Sequence, residues 1–123
     1  MQDIIYTNEL VYVEIHQAQI PWLKIFTQQD YKEFSECDVS TRLELLRVLD
    51  IIEVQMINAF SPTKINIASF GNYLPKVHFH IMARFENDDY FPESMWGIKQ
   101  REGEFGLAQD EIGNFYTKLP SLL

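Results

Sequence analysis

One segment decides how this chain folds: residues 76–85, which read K-V-H-F-H-I-M-A-R-F. Every odd-numbered position is apolar, whereas the even-numbered positions are mostly polar. Side chains of a β-strand alternate between its two faces, so this pattern predicts a strand with one face on the core, against a long helix. The opposite face then carries Lys76, His78 and His80 side by side, with neighbours roughly 6–7 Å apart along the strand.

The two histidines on that face suit chemistry at phosphorus. A neutral imidazole can attack a phosphorus atom, and an imidazolium can stabilise the charge that develops on phosphate oxygens. Histidine interconverts between these forms near neutral pH. The spacing alone leaves two other interpretations open. The pair could bind a metal, although Lys76 and Met82 on the same face are poor zinc ligands, or it could have no function.

The longest predicted element is a helix that precedes this strand in the chain. Asp38 or Ser40 can cap a helix running to about Phe60, and Ser61-Pro62 ends it. Apolar residues recur along it at intervals of three and four, which predicts one buried stripe. This stripe consists of Leu45, Leu49, Ile52, Met56 and Ala59.

Further strands and a second helix are predicted from alternation and composition. Pro21 indicates that one of these strands is an edge strand or starts nearby. Residues 70–75, which contain Gly71 and Asn72, predict a turn before the histidine strand. The predicted strands are residues 9–15, 20–26 and 64–69, with residues 17–19 as the turn between the first two, and residues 109–119 are the predicted terminal helix.

Length and charge exclude several classes of protein. A chain of 123 residues fits a single domain, residues 1–123, and its 46% apolar residues can form a core. The formal net charge is −8 and no basic stripe appears, which argues against binding to polymeric nucleic acid. A small anionic ligand remains compatible with this charge, because a few local cations suffice to bind it.

The cysteine content and the hydropathy pattern point to a cytoplasmic protein. Cys37 is the only cysteine, so we expect neither an internal disulfide nor a zinc held by cysteines. Residues 1–10 contain no basic region, and we do not expect a signal peptide. No apolar run approaches the roughly 20 residues that span a membrane. We therefore expect no membrane partner.

Residues 64–97 resemble the histidine triad family closely, and they read K-I-N-I-A-S-F-G-N-Y-L-P-K-V-H-F-H-I-M-A-R-F-E-N-D-D-Y-F-P-E-S-M-W-G. The family motif is His-φ-His-φ-His-φ-φ, in which φ is apolar, and residues 76–82 read K-V-H-F-H-I-M. A bacterial branch with Gln at the first motif position is especially similar, including A-R-F, D-D and the closing W-G. A weaker similarity extends over residues 9–97.

The resemblance implies an α+β fold of the histidine triad (HIT) type. This fold is an antiparallel sheet of about five strands with one long helix, here with a short C-terminal helix, and it is commonly paired as a homodimer. Members bind nucleotides and act as nucleotidyl hydrolases or transferases. A non-catalytic nucleotide-binding protein, or a metal-binding domain that uses His78 and His80, are the alternatives.

The resemblance also implies roles for individual residues. His78 stands at the position of the nucleophile that forms a nucleotidyl-histidine intermediate, and His80 stands at the position that contacts the phosphate. Gly71 and Asn72 stand where the family places a small polar turn against the phosphates. Apart from the resemblance, Trp96 is a large aromatic residue that could stack on a base or contact the leaving group, or it could serve packing alone. The implied attack requires no metal or other cofactor.

Two positions depart from the family pattern. Lys76 occupies the first position of the triad, where its ammonium would disfavour an imidazolium at His78 and stabilise charge on phosphate oxygens, unless it simply points into water. Gln17, next to His16, lies where many members have an Asp that holds the ribose. Gln17 can still bind a hydroxyl, although less strongly than a carboxylate. His16 could join the site or remain a surface residue.

Three charged residues follow the histidines in the chain: Arg84, Asp88 and Asp89. Arg84, at the far end of the strand, is expected to form a structural ion pair. Asp88 and Asp89 could suggest a metal site, but we expect them to belong to a solvated loop with a role in a turn.

Overall fold

The computed structural model describes residues 3–102 and 105–123. Within these residues the fold is α+β: a five-stranded antiparallel sheet, one long helix and a short C-terminal helix, as predicted. The strands are β1 (Ile4–Thr7), β2 (Val11–Ile15), β3 (Trp22–Thr27), β4 (Lys64–Ala68) and β5 (His78–Arg84), and the helices are α1 (Val39–Phe60) and α2 (Gln109–Lys118). None of the helices in the described residues is long and apolar enough to cross a membrane.

The strands are arranged in the order β1-β2-β3-β5-β4, so the strand that carries both histidines is internal. The predicted hairpin of the second and third strands is confirmed, with Val13 opposite Ile25. Pro21 lies just before β3, and its carbonyl accepts a hydrogen bond from the N–H of Ala83 at 3.0 Å. Pro21 therefore marks the start of a strand rather than an edge. Strand β1 was not predicted from the sequence; it has only four residues and pairs along the edge with β2.

Helix α1 begins and ends where the sequence predicted. The Asp38 side chain accepts a hydrogen bond from the N–H of Thr41 at 2.8 Å, which caps the first turn. Ser61, with a φ of 45°, ends the helix in the left-handed conformation before Pro62. The prediction for Ala59 is wrong: it is exposed and lines a groove beside α2 rather than the sheet. The buried face consists of Thr41, Leu45, Val48, Leu49, Ile52 and Met56.

Strand β5 is covered on both faces. Ile81 and Ala83 belong to the main core with residues of α1, as the alternation predicted. Met82, on the opposite face, packs with Ile20 and Trp22 in a second and smaller cluster. Because this second face is also covered, His78 and His80 are each only 8% exposed. The histidines therefore lie in a partly closed environment, and not on an open polar surface.

An ion pair between Arg84 and Asp88 closes the end of β5. Nε of Arg84 donates to Oδ2 of Asp88 at 2.9 Å, and Nη2 donates to Oδ1 at 3.0 Å. The expectation of a solvated loop is wrong for Asp88, which is fully buried. Its carboxylate accepts hydrogen bonds from backbone N–H groups as well as from Arg84. Those N–H groups belong to Phe85, Tyr90 and Phe91. The predicted structural ion pair of Arg84 is confirmed.

The environment of Asp88 links its charge to folding. Burial alone would raise the pKa of Asp88, but the hydrogen bonds from Arg84 and from the backbone outweigh burial and hold this pKa below its usual range. A lowered carboxyl pKa contributes stability above the ordinary Asp pKa, and this stability is lost as the pH falls through the folded value.

We predict that Asp88→Asn lowers the free energy of unfolding by about 3 kcal/mol, because Arg84 then remains buried without a countercharge. Urea unfolding at pH 7 measures this change. Glu86→Gln is the matched control, since Glu86 is exposed on the same loop and the change in net charge is the same. We expect the control to lose less than about 0.5 kcal/mol. Equal losses in both variants would contradict a structural role for the buried pair.

Candidate functional site

The pairing of β3 with β5 brings the site together. Phe26 lies opposite His78, and Lys24 lies opposite His80. Side chains directly opposite each other in an antiparallel pair share a face of the sheet, with Cβ atoms about 4.5–5.5 Å apart. The histidine face of β5 therefore continues across β3 through Phe26, Lys24 and Trp22.

This face forms the floor of a cavity of about 570 Å³, a size that suits a small-molecule ligand. Of the residues that the sequence singled out, six line it together: His16, His78, His80, Gly71, Asn72 and Trp96. The remaining described lining residues are Lys24, Phe26, Phe70, Tyr73 and Leu74. A loop, two neighbouring strands and the segment after β5 thus contribute to one cavity.

The hydrogen bond of His78 fixes which ring nitrogen is free. Nδ1 of His78 lies 2.7 Å from the backbone carbonyl oxygen of Lys76. A carbonyl can only accept a hydrogen bond, so Nδ1 carries the proton and donates it. In the neutral ring Nε2 is then left with its lone pair. The ring also stacks on Phe26, with centroids 4.8 Å apart and planes within 19°. His78 is held in the tautomer that a nucleophile needs.

His80 is held in the opposite tautomer. The indole Nε1–H of Trp22 donates to Nδ1 of His80 at 3.0 Å, so Nδ1 must be the acceptor and the single proton of the neutral ring lies on Nε2. Burial, together with the charges of His78, His16 and Lys24, lowers the pKa of His80 to about 4. His80 is therefore an uncharged donor through Nε2 at neutral pH.

The third histidine of the chain, His16, joins the same cavity. Its ring stacks on Trp22 with centroids 3.9 Å apart, and it lies 6.5 Å from the ring of His80. Burial and the charge of Lys24 lower the pKa of His16, against a smaller opposite effect of Glu14. All three histidines of this sequence thus line one cavity, although the first motif position holds a lysine.

Two residues proposed from the sequence do not line the cavity. Nζ of Lys76 lies 3.6 Å from Oδ1 of Asp30 and 3.5 Å from the hydroxyl of Tyr12, whose ring it covers. Nε2 of Gln17 donates to Oδ2 of Asp3 at 3.1 Å. Both side chains are thus engaged in contacts beside the cavity rather than with its interior.

Lys24 is a lining residue that the sequence analysis missed. It is the only charged residue within the stretch 20–26, which is a signal that could have drawn attention to it. The predicted strand placed Lys24 on one face together with Trp22 and Phe26, but the sequence did not show that this strand pairs with β5. Without that pairing, Lys24 could not be assigned to the face of the histidines.

Aromatic rings form one wall of the cavity. The ring of Trp96 lies 4.9 Å from His80, 5.2 Å from Trp22 and 4.8 Å from Phe70. Trp96 is nevertheless 47% exposed, and Tyr73 on the neighbouring loop is fully exposed. This wall offers flat apolar surface to a ligand next to the histidines.

The loop between β4 and β5 turns at Gly71, which has a φ of 76°. Glycine suits this position because other residues rarely adopt a positive φ. The backbone N–H groups of Gly71, Asn72 and Tyr73 make no hydrogen bond within the described residues. All three residues line the cavity together with His78 and His80.

The described residues contain no group of three or more His, Cys, Asp or Glu side chains that could hold a metal ion. Among these residues, the side chains that line the cavity are three imidazoles, one ammonium, one amide, a leucine and aromatic rings. The ammonium can donate hydrogen bonds to an anionic ligand, and the aromatic rings can stack on a planar one.

Comparison with known proteins identifies related sequences and folds. The HIT domain family model matches residues 1–87. No curated protein matches the sequence. A histidine triad protein from Bradyrhizobium japonicum is 27% identical over 96% of this chain and 87% of that chain, with a TM-score of 0.79. A histidine triad (HIT) protein from Sinorhizobium meliloti 1021 is 26% identical over 99% and 90% of the two chains, with a TM-score of 0.79.

A more distant structure shares the fold. The diadenosine triphosphate hydrolase of Plasmodium falciparum, solved in complex with cyclomarin A, is 16% identical over 95% of this chain and 71% of that chain, with a TM-score of 0.60. At this identity the similarity shows a common fold.

We predict that nitrogen-15 spectra of the imidazoles at pH 7 show opposite tautomers, with the proton on Nδ1 in His78 and on Nε2 in His80. The signals of His80 should stay unchanged between pH 8 and pH 6, because burial lowers the pKa of His80 to about 4. Trp22→Phe removes the indole donor and should release His80 into a mixture of tautomers, while His78 keeps its own. The same tautomer in both rings of the native protein would contradict this description of the site.

Proposed function

The chain belongs to the HIT domain family, and from this premise we propose that it is a nucleotide-phosphate hydrolase or nucleotidyl transferase that acts through a nucleotidyl-histidine intermediate on His78. At the level of the family, nucleotides are bound and hydrolysed, and a protein of the same fold is a diadenosine triphosphate hydrolase. The observation that carries the proposal is the pair of opposite tautomers, because it makes His78 an acceptor and His80 a donor on one cavity floor.

The proposed reaction has two displacement steps at phosphorus. In the first step the Nε2 lone pair of His78 attacks the α-phosphorus, a P–N bond forms, and the bond from phosphorus to the leaving group breaks. The ring becomes positively charged, and the carbonyl of Lys76, which accepts from Nδ1–H, stabilises that charge. In the second step water attacks phosphorus and releases a proton to solvent, the P–N bond breaks with its electron pair returning to Nε2, and neutral His78 is restored. Neither step uses a metal or cofactor.

The phosphate oxygens need donors while charge develops on them. His80 supplies its Nε2–H, and the backbone amides around Asn72 supply the others. Trp96 is the proposed stacking surface for a base or leaving group. Gln17 and Lys76 lie beside Asp3 and Asp30, outside the cavity lining, so a contact with the ligand would require these side chains to turn toward the cavity.

A second candidate function is non-catalytic nucleotide binding, because Lys76 replaces the first histidine of the triad. The two candidates share the cavity and differ only in turnover. A screen of purified protein against nucleoside phosphoramidates, dinucleoside polyphosphates and nucleotidyl sulfates separates them, since turnover of any of these compounds identifies a catalyst.

We predict that His78→Ala abolishes turnover of every substrate found in this screen but retains nucleotide binding, because the nucleophile is lost while His80 and the loop remain. His80→Ala should weaken both binding and turnover. Mass spectrometry of acid-free quenched reactions should detect a nucleotidyl adduct on the native protein and none on His78→Ala. Full activity of His78→Ala would refute the mechanism. Stoichiometric zinc that both substitutions release would favour the metal-binding alternative instead.

We also propose that the protein forms a homodimer through the outward face of α1. This face exposes apolar side chains at helical spacing. Monomeric proteins rarely expose large apolar patches, and a second copy of the chain would cover this one. These residues are Val39, Leu43, Leu46, Val54 and Ile57, which are 45–65% exposed.

We predict that native protein sediments at twice the chain mass of 14.5 kDa at micromolar concentration. Leu46→Glu should convert it to a 14.5 kDa species, because a charge would enter the apolar contact. Ile98→Glu is the matched control, since Ile98 is also exposed and apolar but lies outside α1. The control should keep the mass of the native protein. A native protein that sediments only as the single chain would contradict the dimer.

A further inference from the structure

We propose that Lys24 binds the phosphate oxygens of the substrate, in the role that the sequence analysis gave to Lys76. This inference rests on the proposed function, because it concerns the same cavity and the same class of ligand. Beyond the proposed function, it assigns to Lys24 the selectivity of the site for phosphorylated nucleosides over free nucleosides.

Lys24 is the one formally charged side chain among the described residues that line the cavity. The other described lining residues are histidines, aromatic or apolar residues, a glycine and an asparagine. The whole chain carries a net charge of −8, so an anionic substrate is repelled at long range. A cation inside the cavity offsets this repulsion at the place where the phosphate binds.

Lys24 lies opposite His80, and its ammonium lies near the ring that stacks on His78. Lys24 is the direct cross-strand neighbour of His80. Nζ of Lys24 also lies 5.7 Å from the ring centroid of Phe26, and that ring stacks on His78. A phosphate between His78 and His80 is therefore within reach of a long, flexible lysine side chain. The positive charge of Lys24 already affects the site, because it contributes to lowering the pKa of His80 and of His16.

Glu14 holds Lys24 in place without blocking it. Nζ of Lys24 lies 3.3 Å from Oε1 of Glu14, and the two side chains are 19% and 28% exposed. An ammonium has three N–H donors, so contact with Glu14 leaves donors for phosphate oxygens. The carboxylate neutralises part of the charge, and we therefore expect a moderate contribution to affinity.

Lys76 is less suited to this role. Its ammonium is paired with Asp30 and covers the ring of Tyr12, and its side chain does not line the cavity. The backbone carbonyl of Lys76, and not its ammonium, is the group that contacts His78. The ammonium that lines the cavity thus comes from Lys24 on the neighbouring strand, and not from Lys76 at the first motif position.

The test compares AMP with adenosine by calorimetry at low ionic strength. Lys24→Met should weaken AMP binding by roughly 10-fold, while adenosine affinity changes less than about 2-fold. The 10-fold loss corresponds to the low end of the free energies of hydrogen bonds to charged groups. Lys24→Arg should keep most of the AMP affinity because it keeps the charge. Lys118→Met is the matched control for net charge, since Lys118 is exposed on α2, and it should bind AMP as the native protein does.

Lys24→Gln is a second variant in case Lys24→Met folds poorly, and unchanged adenosine binding shows that the cavity is intact. For native protein, AMP affinity should fall more steeply with salt than in either uncharged variant. Equal AMP affinity in native protein and Lys24→Met, or an equal loss for AMP and adenosine, would overturn this inference alone. The same holds if Lys76→Met, and not Lys24→Met, weakens AMP binding. If native protein binds no nucleotide and turns over no substrate, the proposed function itself fails.

Discussion

The antiparallel pairing of β3 with β5 is the constraint on which the rest of the site depends. It sets Phe26 against His78 and Lys24 against His80, and it brings the indole of Trp22 to Nδ1 of His80. A strand alternates its side chains with a period of two, so a slip of one residue would turn β3 over and remove all three contacts. The register is protected because the opposite face of β3, with Leu23 and Ile25, is buried in the main core.

Burial of the two histidines links folding to chemistry. An imidazole in a partly closed site must be neutral or be paired, since burial of an unpaired charge is costly. Here the hydrogen bonds define one tautomer for the neutral form of each ring, because Trp22 donates to His80 and the carbonyl of Lys76 accepts from His78. The same hydrogen bonds that satisfy the buried nitrogens leave one ring as an acceptor and the other as a donor. In the proposed reaction these are the nucleophile and the phosphate contact.

Much of the fold could be predicted because its signals are local. Caps and an apolar stripe define α1 from Val39 to Phe60, and alternation defines β5. The errors arise where a distant contact decides the outcome. Asp88 looked like a loop residue, but it is buried because Arg84 and backbone N–H groups surround its carboxylate. The short edge strand β1 is formed by its pairing with β2, and four residues carry too weak a pattern to show it.

The sequence by itself determined that His78 and His80 share one face of a strand, because the pleat of a strand depends only on neighbouring residues. It also placed Gly71 and Asn72 in the turn before that strand. Only the tertiary structure decided which further residues complete the cavity. Lys76 is adjacent in sequence yet turns to Asp30, whereas Lys24 and His16 come from distant segments. The physical reason is that strand order and register are fixed by burial and hydrogen bonding between segments far apart in the chain, and no local pattern encodes them.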